Sequence, residues 1–273
     1  MRPRRSMRSS FVDIDWRGRA VCIEHAFVGV PAADAPLMIF LHEGLGSLSM
    51  WKDFPARLCD AAGVRGLVYS RPGYGRSTPR AADEHWAPDF MHRQAHEVLP
   101  ALLQALGIEA ARQPLWLFGH SDGGSIALLY AAQHAAQHAL AGVVVVAPHL
   151  FVEDVSVASI AQARVAYAEG SLKAGLAKYH DHPDSAFFGW NDVWLSPAFR
   201  RWNIEADIAV ISTPLLAVQG VDDEYGTLAQ IRRISQAVPH TQLLELAGCR
   251  HSPHRDQPQV LIDAVVAFMR QHR

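Results

Sequence analysis

Six short stretches of this chain are apolar almost from end to end: Pro36-Leu37-Met38-Ile39-Phe40-Leu41, Gly66-Leu67-Val68-Tyr69, Leu115-Trp116-Leu117-Phe118, Val143-Val144-Val145-Val146, Leu215-Leu216-Ala217-Val218 and Gln242-Leu243-Leu244-Glu245-Leu246. A strand with one wet face alternates apolar and polar residues. Runs without alternation are what strands covered on both faces require. Between most of these runs lie segments with helical spacing: Met50 to Ala62, His92 to Leu106, Ser125 to His138 and Gln257 to Gln271. In the second of them Ala95, Val98, Leu99, Leu102, Leu103 and Leu106 share one face. Strands alternating with helices predict a mostly parallel, doubly wound α/β sheet with helices on both sides. The opening differs in style. A turn at Asp15-Trp16-Arg17-Gly18 leads into the alternating run Val21, Ile23, His25, Phe27, which predicts antiparallel strands at the N-terminus.

The rhythm breaks once. From 148 to 211 there is no apolar strand run, only helix-like sequence (Ser159 to Lys178) and then the aromatics Phe187, Phe188, Trp190, Trp194, Phe199 and Trp202. A structureless loop of that length does not suit a compact domain. A helical cap over 148–211 is therefore expected, inserted in an α/β core formed by 11–147 and 212–273. Residues 1–10, MRPRRSMRSS, are basic but are not followed by an apolar stretch, so they are expected to form a disordered tail and not a secretory signal.

Bulk properties exclude several classes of function. The formal net charge is −2 with no long basic stretch, which argues against nucleic acid as a partner. No run of about 18 apolar residues is present to cross a membrane. The three cysteines, Cys22, Cys59 and Cys249, have no ligand-like spacing. They suit a reducing cytoplasm better than a disulfide framework or a zinc site, and Cys249 reads as a packing residue.

The chemistry concentrates where strands end. Gly119-His120-Ser121-Asp122-Gly123 follows an apolar run and precedes a helix, the context that G-x-S-x-G requires. Side chains at Gly119 and Gly123 would collide with neighbouring backbone in so tight a turn. A serine nucleophile needs a base, because its hydroxyl barely ionises at neutral pH. Of 15 histidines, His251 follows the last strand run and so reaches the same sheet edge as Ser121, with His254 one turn away as the rival. The acid is expected after Gly220, where Asp222-Asp223-Glu224 follow; Asp223 is preferred and Asp222 is second. The glycine-rich turn His42-Glu43-Gly44-Leu45-Gly46-Ser47 is expected to supply an oxyanion hole from the amide of Gly44 or Leu45, together with that of Asp122.

The segments HEGLGS, SRPGYGRS, GHSDGG, GVDDEYG and GCRHSPHRDQP, in that order, resemble the α/β-hydrolase superfamily over essentially the whole chain apart from tail and cap. The Ser-Asp-Gly-Gly form resembles the valacyclovir-hydrolase-like (biphenyl-hydrolase-like) branch. The resemblance implies an α/β-hydrolase fold and a triad of Ser121, Asp223 and His251. Two positions depart from the usual pattern. Glu43 stands where most relatives carry glycine, and Asp122 where many carry an apolar residue or Gln. Two carboxylates there would attract a cationic substrate group; the competing reading has Asp122 capping the following helix. Trp190, Trp194 and Tyr225 are the remaining candidate substrate contacts, although the tryptophans suit packing as well.

The expected function is hydrolysis of a small or medium carboxylic ester through an acyl-enzyme on Ser121, with neither metal nor organic cofactor. A C–C bond hydrolase of a vinylogous diketone is the enzymatic alternative, and a non-catalytic ligand receptor on the same fold is the alternative of another class. His134 with His138, and His180-Asp181-His182, read as solvated histidines, for neither has a third ligand at convincing spacing. The expected partner is the small-molecule ester, with a homodimer as the assembly open to it.

Overall fold

The computed structural model describes residues 8–32, 35–110, 112–134 and 140–272. His138 and most of the expected tail lie outside the described residues. Ser10 does not belong to a tail, because it opens the first strand and pairs with His25.

Eight strands form one sheet in the order β1-β2-β4-β3-β5-β6-β7-β8. They are β1 (Ser10–Trp16), β2 (Arg19–Gly29), β3 (Leu37–Leu41), β4 (Arg65–Tyr69), β5 (Leu115–His120), β6 (Leu140–Val146), β7 (Leu215–Gly220) and β8 (Gln242–Leu246). The β1–β2 and β2–β4 pairs are antiparallel, and all other neighbours are parallel. The β1–β2 hairpin turns through Arg17 and Gly18 with φ of 57° and 73°. A two-residue turn of that hand matches the twist of the strands it joins.

The continuous apolar runs divide by alternate residues. Leu37, Ile39, Leu41, Leu115, Leu117, Val143, Val145, Leu215 and Ala217 join the core on one face. Met38, Phe40, Trp116, Phe118, Val144, Val146, Leu216 and Val218 join the core on the other. The second face is covered by α1 (Phe54–Ala62) and α11 (Pro258–Gln271). The first is covered by α2 (Phe90–Arg93), α3 (Leu99–Ala105), α4 (Asp122–Gln133) and α9 (Ala229–Ala237). One wide turn of helix, Gln94–Val98, joins α2 to α3.

Two expectations need correction. The β2 alternation stops at Glu24, beyond which Glu24, His25 and Ala26 are all buried because β2 lies between two strands, and Phe27 is exposed under the Arg65 guanidinium. β8 is an edge strand, so Leu243 is exposed although its run looked doubly covered.

Between β6 and β7 lie α5 (Asp154–Ala168), α6 (Ser171–Leu176), α7 (Pro183–Trp194) and α8 (Glu205–Ile208). The single helical stretch expected from Ser159 to Lys178 is broken at Gly170, whose φ is 90°. The last short helix, α10 (Pro253–Asp256), precedes α11. Among the described residues no helix is long and apolar enough to cross a membrane.

Candidate active site

Strand order decides which loops meet. From β3 the chain moves outward to β4, then returns across β3 to β5 and continues to β8. The loops leaving the carboxyl ends of β3 and β5 therefore diverge from adjacent strands, and the crevice between them is where open α/β sheets take ligands. The β3 loop carries Glu43, Gly44 and Leu45; the β5 loop carries Ser121.

Ser121 sits between β5 and α4 with φ 54° and ψ −122°, a region that non-glycine residues rarely occupy. The turn is held by the Ser121 N–H on the Val146 carbonyl (2.9 Å), and by the N–H groups of Gly124 and Ser125 on the Ser121 carbonyl. The flanking glycines behave as expected. A Cβ on Gly119 would lie 2.2 Å from the Gly123 carbonyl oxygen, and one on Gly123 would lie 2.0 Å from the Leu41 carbonyl oxygen. The N–H groups of Asp122 and Gly123 open α4 and so have no acceptor within their own helix.

The acidic run after β7 divides its roles. Asp222 is exposed. Both Asp223 oxygens take the His251 ring, with Nδ1 2.9 Å from Oδ1 and 3.0 Å from Oδ2. Asp223 also accepts the Tyr225 N–H (2.8 Å) and the Gln219 amide (3.1 Å). Burial works against its charge, but these donors, the His251 ring first among them, hold the carboxyl below its usual value. Glu224 takes the His251 backbone N–H (3.2 Å) and the Arg250 guanidinium (3.1 Å). His120 Nε2 donates to the His251 carbonyl at 2.8 Å. Ring, N–H and carbonyl of His251 are thus each fixed by a different residue, and the Tyr225 ring lies 4.7 Å from its own. His254, the rival, is buried among Trp51, Phe54 and His120, and neither of its ring nitrogens has a hydrogen-bond partner among the described residues.

The glycine turn after β3 is held by its carbonyls. The Glu43 carbonyl accepts from His42 Nδ1 (2.8 Å), Arg71 Nη2 (2.8 Å) and the Gly46 N–H (3.0 Å). His42 Nε2 takes the Arg71 N–H, so this buried ring is neutral and its pKa lies well below the usual value. In a trans peptide the N–H points opposite to the C=O. Fixing the Glu43 carbonyl on three donors therefore turns the Gly44 N–H to the other side. His180 Nε2 holds the Leu45 carbonyl (3.0 Å) while its Nδ1 takes the Gly75 N–H (2.9 Å). His180 is thus a buried strut between loops and not a solvated residue. Among the described residues no group of histidine, cysteine and carboxylate side chains could hold a metal.

The two departures from the family pattern lie elsewhere than expected. Glu43 folds beneath Gly46, where a Cβ would meet its Oε2, and faces His120 Nδ1 (3.7 Å) and Arg255 (3.6 Å). Its charge is opposed by burial but supported by His120 and Arg255, and its pKa falls well below the usual value. Its partners in this structure are thus His120, beside the nucleophile, and Arg255, just past the His251 loop. Asp122 does not cap α4: its Oδ1 accepts the Trp194 indole N–H at 3.2 Å, and its Oδ2 has no partner among the described residues. Burial raises its pKa to about 6 against the pull of the nearby Arg71. Trp194 is fully buried, and Trp190 packs its indole on the Cα of Gly44. Cys249 is buried and burial raises its thiol to about 11, as a packing role requires.

One residue of the site escaped the sequence reading. His149 follows β6, and its Nε2 lies 3.4 Å from Ser121 Oγ. The hydrogen bond of Ser121 in this structure runs to His149 and not to His251. The signal was positional: Pro148-His149 leaves the carboxyl end of an apolar strand next to β5, the same test that selected His251.

A sequence model of the alpha/beta hydrolase family matches residues 38–264. The chain belongs to that family. This hydrolase is 29% identical over 246 residues to a putative carbamate hydrolase, RutD, of Pseudomonas savastanoi pv. phaseolicola, covering 83% of this chain and 90% of that protein. It is also similar to two solved structures. One is a proline iminopeptidase of Mycobacterium smegmatis (18% identity, TM-score 0.73, 96% of this chain and 98% of that one). The other is the esterase RhEst1 of Rhodococcus sp. ECU1013 (21% identity, TM-score 0.69, 98% and 100%). At these identities the solved structures share the fold alone.

Proposed function

We propose that this hydrolase cleaves a small or medium carboxylic ester through an acyl-enzyme on Ser121. The observation that carries the proposal is the seating of His251, whose ring is held by both Asp223 oxygens and whose backbone is held by Glu224 and His120. With Nδ1–H given to Asp223, Nε2 is left as the lone-pair nitrogen. Ser121 gives its proton to that nitrogen and attacks the carbonyl. The alcohol leaves with the same proton, and water then repeats the sequence in reverse. The Gly44 and Asp122 N–H groups receive the oxyanion. Leu45 is the weaker donor, since the three donors on the Glu43 carbonyl orient the neighbouring Gly44 N–H directly. The helices between β6 and β7 serve as a cap, and Trp190, Trp194 and Tyr225 form the walls nearest the reacting groups.

The putative carbamate hydrolase among the relatives supports a second reading, in which the acyl group is a carbamoyl group and Ser121 is carbamoylated. A substrate panel separates the two. p-Nitrophenyl acetate, butyrate and benzoate, a p-nitrophenyl carbamate and a ring-fission diketone are compared by kcat/KM. The ester reading requires the best ester to exceed both others by tenfold or more, about 1.4 kcal/mol in transition-state stabilisation. A carbamate or diketone preference of that size would replace it.

A further inference from the structure

Beside Ser121 stands a histidine that the triad does not use. The main chain of His149 is clamped by one hydroxyl: its N–H donates to Ser125 Oγ (3.0 Å), and its carbonyl accepts from the same oxygen (2.7 Å). Ser125 lies one turn along α4 from the nucleophile, so the His149 ring starts from a point fixed relative to Ser121. The ring is 3% exposed, sits edge-on to Trp194 with centroids 4.8 Å apart, and presents Nε2 at 3.4 Å from Ser121 Oγ. Its Nδ1 has no hydrogen-bond partner among the described residues.

That orphan nitrogen decides the tautomer. A neutral imidazole has one N–H and one lone pair. An N–H on Nδ1 would be a buried donor with nothing to accept it, whereas an N–H on Nε2 leaves only a lone pair unmatched, the less costly fault. His149 therefore carries its proton on Nε2 and donates it to Ser121 Oγ. His251 has the opposite tautomer, because Asp223 takes its Nδ1–H. The two rings, 6.1 Å apart, offer the serine complementary partners: one accepts its hydrogen and the other donates to its oxygen.

We propose that His149 is a second catalytic histidine, a neutral donor whose Nε2–H stabilises the Ser121 oxygen as it loses its proton and again as it leaves the acyl group. The proposal rests on Ser121 being the nucleophile. In acylation the Ser121 proton passes to His251 Nε2 and an Oγ–C bond forms. In deacylation that bond breaks and Oγ regains a proton from His251. His149 keeps its own proton throughout. The titratable and charged groups around it are His251, His120 and Asp223, and burial, followed by His251, lowers its pKa to about 3. It therefore stays neutral wherever the enzyme works and cannot replace the base.

The test combines spectroscopy with kinetics. In protein labelled with 15N-histidine, long-range 1H–15N spectra between pH 5 and 8 should show a neutral, non-titrating Nε2–H ring distinct from that of His180. Its signals should vanish in His149→Phe, and its Nε2 resonance should shift in Ser121→Ala. An Nδ1–H tautomer, or a resonance indifferent to Ser121→Ala, would overturn the donor. His149→Phe should lower kcat by about 10- to 100-fold with KM changed less than about threefold, and His149→Gln, whose amide N–H can reach the same oxygen, should recover most of the loss. Equal losses in the two variants would also overturn it. Failure of a fluorophosphonate to label Ser121 in the wild type would refute the nucleophile, and with it the catalytic use of His149. Labelling with an Nδ1–H His149 would refute the donor alone.

Discussion

Asp122→Asn should stabilise the protein, and only at neutral and alkaline pH. The carboxyl is buried, one oxygen takes Trp194 Nε1 at 3.2 Å, and the other has no partner among the described residues. Burial is the main cause that raises its pKa from 3.8 to about 6, with Arg71 opposing. In the unfolded chain the same group ionises near 3.8, so between about pH 4 and pH 6 the native state holds more protons than the unfolded one. Stability must then fall as pH rises through that window. At 1.36 kcal/mol per pKa unit, the cost of keeping the charge above pH 7 is about 3 kcal/mol. Asparagine keeps the acceptor for Trp194 and cannot ionise, so it avoids this cost. Urea unfolding at pH 4 and pH 8 is the assay. The variant should match the wild type at pH 4 and exceed it by about 2–4 kcal/mol at pH 8. Hydrolysis of a neutral ester should survive, because the N–H of residue 122 is unchanged. A stability difference that is the same at both pH values, or a variant less stable at pH 8, would refute the reasoning.

Asp223→Asn presents His251 with an amide in place of a carboxylate and should lower kcat by about 10³- to 10⁴-fold in steady-state assays, with the fold unchanged by circular dichroism. Glu43→Gln removes the charge that faces His120 and Arg255. Because this carboxyl is depressed in the folded state, its contribution is present above its unfolded value of 4.5 and is lost as pH falls. The variant should therefore be less stable than the wild type at pH 7, and the gap should narrow in unfolding experiments as pH falls below 4.5. Gly123→Ala forces a Cβ to within 2.0 Å of the Leu41 carbonyl oxygen, a backbone atom with no room to yield. A loss of about 3 kcal/mol or more is expected, read as a fall in Tm.

The fold was legible because its strands are covered on both faces. Leu37 to Leu41, or Val143 to Val146, can be apolar throughout only if each alternate residue has a core to enter, and both cores exist. The placement of Ser121 and His251 was legible for a related reason, since glycine punctuation and strand ends mark the loops of one sheet edge. What the sequence could not show was direction. Asp122 and Glu43 looked like a paired acidic surface, yet one lies under Trp194 and the other beneath the His251 loop. Which way a carboxylate points depends on donors remote in the chain, here Trp194, His120 and Arg255. His149 was missed because its one signal, a place just past the end of an apolar strand, is shared with other residues, and the hold of Ser125 on its backbone shows only in three dimensions.

The most direct test of a nucleophilic Ser121 activated by His251 is peptide mapping after reaction with a fluorophosphonate. A single adduct on the peptide containing Ser121, lost in Ser121→Ala and slowed at least a hundredfold in His251→Ala, is the predicted result. An adduct on another residue, or labelling of Ser121 at an unchanged rate without His251, would contradict the mechanism.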